Sequence, residues 1–85
     1  MIRLTEKSRS GQYTLAPADI ENAIQRLGAY EDAIDALLAS QEQIPKELEA
    51  LRQQGKEKTV TFKETMTRKL INQSIVQFFE KHGLY

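Results

Sequence analysis

Between Pro17 and Ile44 the apolar side chains return every three or four residues for seven consecutive steps, a rhythm that fits a helix and little else. Ile20, Ala23, Leu27, Tyr30, Ile34, Leu37, Gln41 and Ile44 fall on one stripe, with Gln41 its single polar member. A stripe so regular is a packing surface. Pro17 suits the first helical position, and Asp19 and Glu21 lie where carboxylates meet the positive end of the helix dipole. The rhythm continues through Leu48 and Leu51 to Gly55, although Pro45 costs a helix interior about 3 kcal/mol by removing a ladder hydrogen bond. The spacing therefore predicts one long helix over residues 17–54, kinked or briefly broken near Pro45 and capped by Gly55. Unbroken, it would be about 57 Å long at 1.5 Å per residue. Nothing else in 85 residues is long enough to cover it, so a second copy is expected to do so.

On either side of this helix the signals are shorter. Ile2 to Glu6 alternates apolar and polar, Lys7 to Gly11 is a charged, small-residue break, and Gln12 to Ala16 brings Tyr13 and Leu15 to one face. Residues 1–16 thus read as a β-hairpin supported by the first helix, with a disordered arm as the alternative. Beyond the turn GKEKT, Thr61 and Glu64 match a capping box, which starts a last helix over residues 61–82 stopped by Gly83. Phe62, Met66 and Leu70 lie on one side of it, and Ile71, Ile75, Phe78 and Phe79 on another. The first group is assigned to the protomer's own core and the second to an oligomer interface; a single core wrapping a bent helix is the other arrangement. The fold class expected is mainly α: a small N-terminal hairpin or arm, then two helices forming an αα-hairpin, in one domain spanning residues 1–85 and assembled as an oligomer. Within the first helix Gly28, Ala29, Ala33, Ala36 and Ala39 leave a small surface, which serves either close helix pairing or simply helix formation.

Composition limits what such a chain can do. A single core of this length sits near the lower limit of independent folding. The chain has no cysteine, which removes disulfides, thiolate nucleophiles and cysteine-based zinc sites and fits a reducing compartment. Its N-terminus has no apolar segment of signal-peptide length, and no stretch approaches the roughly 20 apolar residues of a membrane span. A cytoplasmic protein without membrane contact is expected. Twelve basic and twelve acidic side chains balance overall. Residues 1–44 nevertheless hold four basic against seven acidic groups, and residues 45–85 eight against five. The asymmetry permits charge matching within the fold or between protomers, or marks two binding faces.

Candidate sites are few. Glu31, Asp32 and Asp35 cluster beside Tyr30 but lack the glycine and ligand spacing of a calcium loop, and read as a solvated acidic face. His82, the only histidine, stands in a last helical turn where the dipole favours positive charge, with no triad or metal set around it. Neither catalytic residues, a metal site nor a cofactor is expected. Lys56, Lys58, Lys63, Arg68 and Lys69 are the candidate ligand- or partner-binding residues, spanning a turn and a helix start that attract anions, with Glu57 and Glu64 diluting them.

The opening MIRLTE…GQYTL, the RLGAYEDA segment and EQIPKELEALRQQGKEKTVTFKE resemble parts of small proteins encoded by phages and prophages of Gram-positive bacteria, many of which carry an RL-small-x-YED segment. The resemblance covers most of the chain and implies a genomic context, not a mechanism. It implies proteins that act by binding: to host defence enzymes such as CRISPR-type effectors, to signalling nucleotides, or to DNA. Three readings follow. The first is a homodimer or larger even oligomer that inhibits or redirects a host protein in the host cytoplasm. The second is an oligomeric nucleotide sponge, in which the basic residues meet phosphates and Tyr13, Tyr30 or Tyr85 stacks on a base. The third is a DNA-binding regulator using the same basic region. Enzyme activity is not expected, because a nucleophile with a matched base is absent.

Overall fold

The computed structural model describes residues 2–84; Tyr85, one of the three candidate stacking tyrosines, lies outside them. Two antiparallel strands, β1 (Thr5–Lys7) and β2 (Tyr13–Leu15), pair in the register Thr5 to Leu15, Glu6 to Thr14 and Lys7 to Tyr13. Ser8 closes the hairpin: its amide donates to the Gln12 carbonyl at 2.7 Å, and its hydroxyl accepts from the Gln12 amide at 3.1 Å. Pro17–Asp19 then forms one 3₁₀ turn, and α1 runs from Ile20 to Gln53. The second helix, α2, is Val60–Lys81. The chain is therefore mainly helical with an N-terminal hairpin.

Two compact units divide it, Met1–Ala33 and Ile34–Tyr85. In the first, the Arg26 guanidinium donates to the Ile2 carbonyl at 2.6 Å and so ties the hairpin arm to the start of α1. No described residue of this unit is buried; Leu4, Leu15 and Ala23 are half-buried. The second unit is an antiparallel αα-hairpin. Asn72 reaches Ser40, Arg68 reaches Glu47, and the Arg52 guanidinium sits over the Phe62 ring, so positions descend along α2 as they rise along α1. Ile44 and Leu48, each 1% exposed, form its centre with Val76 and Thr65.

Pro45 does not interrupt α1: the helix is continuous across it, so a brief break there is not found. The missing N–H leaves the Gln41 carbonyl without its ladder donor. At the end of α1 the Lys56 amide donates to the Leu51 carbonyl at 2.8 Å and the Gly55 amide to that of Arg52 at 3.0 Å, with Gly55 at φ +70°. That is the left-handed cap expected of Gly55.

Two expectations about α2 need correction. Its cap is Thr59, whose hydroxyl accepts from the Phe62 amide at 3.2 Å, and not Thr61. Thr61 already lies inside the first turn, and its carbonyl accepts from the Thr65 hydroxyl at 2.8 Å. A capping box from Thr59 would need an acid at position 62, where Phe62 stands. Leu70, assigned to the inner face, is 58% exposed. The inner stripe runs instead through Phe62, Thr65, Met66, Lys69, Asn72, Val76 and Phe79, all buried or half-buried.

Candidate protein-interaction surfaces

The five basic candidates do not form one patch. Lys56 and Lys58 are exposed in the turn between the helices, and Lys63 is exposed on α2. Arg68 is held by Glu47 at 2.5 Å, which offsets its charge. Lys69 is half-buried on the inner stripe, where it lines a cleft of about 260 Å³ with Gln41, Ile44, Pro45, Asn72 and Gln73. At 100° per residue, Lys63, Arg68 and Lys69 point in three directions more than a quarter turn apart. Such a spread suits a solvated surface better than a cradle for one phosphate group.

Of the candidate stacking tyrosines, Tyr13 is engaged as well. On the hairpin, Arg3 and Lys7 lie over the Tyr13 ring at 5.7 and 5.6 Å, cation–π contacts that occupy it. Glu31, Asp32 and Asp35 are exposed, and no group of three or more His, Asp or Glu stands together among the described residues as a metal site would require. His82 donates from Nδ1 to the Phe78 carbonyl at 2.8 Å, and its ring lies 4.4 Å from that of Phe78. Both contacts are structural.

Apolar surface is what remains. On α2, Ile71, Ile75 and Phe78 are exposed as the oligomer-interface assignment requires, but Phe79 is half-buried and belongs with Val76 on the inner stripe. Val60 extends the exposed side, and Lys63, Glu64, Thr67, Arg68 and Ile71 line a shallow groove with it. On the first turns of α1, Ile20, Ile24 and Leu27 are exposed, Leu27 at 60%. Ile24 and Val60 escaped the sequence reading. Ile24 lies just beside the main stripe, and Val60 falls between the turn GKEKT and the expected helix start at Thr61; the spacing of Ile24 from Ile20 and Leu27 is the available signal.

No protein-family model, curated protein or solved structure matches the chain. Among the described residues no helix is long and apolar enough to cross a membrane.

Proposed function

We propose that this is a small self-associating interaction protein that acts by binding, and that its target is a host protein such as a CRISPR-type antiviral effector in the host cytoplasm. The observation that carries the binding reading is the distribution of apolar side chains. Among the described residues only Ile44, Leu48 and Val76 are buried apolar side chains, whereas two separate helix faces expose isoleucine, leucine and phenylalanine to water. Exposed apolar faces of this kind mark association surfaces. The phage-type target rests on the sequence resemblance alone. The nucleotide-sponge and DNA-regulator readings draw less support, since Arg68 is paired with Glu47 and Lys69 faces inward.

Tagged protein incubated with host lysate, followed by mass spectrometry of what is retained, tests the reading. A defence effector that rebinds when both components are purified supports it. A copurified nucleotide or nucleic acid released by denaturation, with no stable protein partner, replaces it with one of the other two.

A further inference from the structure

The cleft beside Lys69 lies wholly within the helical hairpin of residues 34–85. Gln41, Ile44 and Pro45 line it from α1, and Lys69, Asn72 and Gln73 from α2. Small-molecule pockets run to roughly 300–1,000 Å³, so a cleft of about 260 Å³ admits a small fragment or the end of a longer chain. Its walls carry polar groups that the fold leaves unmatched. Lys69 is half-buried, yet among the described residues no carboxylate pairs with its ammonium and no hydrogen bond holds it. Glu47, the half-buried acid of α1 in this hairpin, is taken by Arg68. The side-chain amides of Gln41 and Gln73, which make no hydrogen bond among the described residues, add further donors. On α1 the Gln41 carbonyl lacks the ladder donor that Pro45 cannot supply, and both residues of that vacant step border the cleft.

We infer that this cleft binds a carboxylate that carries an amide N–H one carbon away, the chemistry of a peptide C-terminus or of a free acylated amino acid. Lys69 takes the carboxylate, with the glutamine amides beside it, and the Gln41 carbonyl takes the N–H. Other small ligands match only half of the site. A phosphate brings acceptors alone and meets the Gln41 carbonyl with like partial charge, whereas an amine suits that carbonyl and is repelled by the Lys69 ammonium. A carboxylate with a neighbouring N–H satisfies both groups at once, and its bond to the ammonium is the strong, charge-assisted kind. Capture of a terminal carboxylate is a recurring mode of peptide recognition. The site goes beyond the reading above: it lies inside one copy and does not depend on self-association.

Titration of the ¹⁵N-labelled protein with N-acetylglycine, followed by NMR, tests the site, with two analogues as controls. N-Acetylglycinamide lacks the carboxylate, and acetoxyacetate replaces the N–H by oxygen at nearly the same shape. N-Acetylglycine should shift the side-chain amide signals of Gln41, Asn72 and Gln73 saturably. The uncharged analogue should bind at least about tenfold more weakly and acetoxyacetate about fivefold more weakly, the ordinary worth of a charge-assisted and of a neutral hydrogen bond. Lys69→Met should lose binding as the uncharged analogue does. Pro45→Ala, which hands the Gln41 carbonyl a helix donor, should bind N-acetylglycine no better than acetoxyacetate. Acetyl-alanyl-alanyl-glycine separates the two sources: tighter binding than N-acetylglycine supports the site as one for a polypeptide terminus, and weaker binding supports it as one for a free acylated amino acid. Saturation absent up to roughly 100 mM, beyond the dissociation constant of even an inefficient ligand of about eight non-hydrogen atoms, overturns the inference. Equal binding of N-acetylglycinamide, or undiminished binding by folded Lys69→Met, does the same. Should Lys69→Met lose helix by circular dichroism, the two analogues on the wild type and the Pro45→Ala comparison still decide it.

Discussion

Single residues settle how α2 begins. The Thr59 hydroxyl takes the Phe62 amide at 3.2 Å while donating to the Lys56 carbonyl at 2.7 Å, so it joins the turn to the helix at both ends. Thr59→Ala is expected to cost about 1 kcal/mol of stability, the ordinary worth of an N-cap. Thr61→Ala should cost only a few tenths, since alanine suits a helical first turn. Thermal melts of both variants at one protein concentration check the difference; equal losses would return the cap to Thr61. Polar residues were also the reason that the inner face of α2 was read wrongly. Thr65, Lys69 and Asn72 sit on it, and a search for apolar residues passes over all three. Thr65 can be buried because its hydroxyl donates to the Thr61 carbonyl, and Asn72 can be half-buried because its amide donates to the Ser40 hydroxyl at 2.7 Å. The sequence shows residue types but not which polar groups find partners, and Leu70 took a place that belongs to Lys69.

At the scale of elements the sequence was far more legible. The three-four rhythm places α1, the threonine-rich start after GKEKT places α2 to within a residue or two, Gly55 and Gly83 mark their ends, and the alternation on either side of the Lys7–Gly11 break places the hairpin. These are local effects of backbone geometry, readable without knowing what packs on what. Which part of the α1 stripe is covered was not readable, because that depends on where α2 lies. Its C-terminal members, Ile44 and Leu48, are buried, while Ile20 and Leu27 remain exposed. Pro45 sits inside the covered stretch at a position where the helix lacks one hydrogen bond. Pro45→Ala returns a donor to the Gln41 carbonyl, regaining much of the roughly 3 kcal/mol that proline costs a helix interior. It gives back only about 0.4–1 kcal/mol through a freer unfolded chain. The variant should therefore melt higher than wild type at equal concentration; a lower or unchanged melting temperature would mean that the Gln41 carbonyl is already satisfied by another donor.

For the whole molecule the decisive fact is how little apolar surface one copy hides. Among the described residues three buried apolar side chains make a small core, and none of them lies in the unit that carries the hairpin. Burial of a leucine- or isoleucine-sized side chain stabilises by about 1.5–3 kcal/mol, and folding must offset about 1–2 kcal/mol of backbone entropy per residue. A second copy laid on the exposed apolar faces would add burial without adding chain, the physical reason for the self-association proposed above. The quantity to measure is mass in solution. Light scattering on the purified protein at tens of micromolar, roughly the range in which a specific interface of standard size persists, should return an even multiple of the 9.7 kDa chain mass. A single-copy mass at that concentration, with the helices intact, would contradict it.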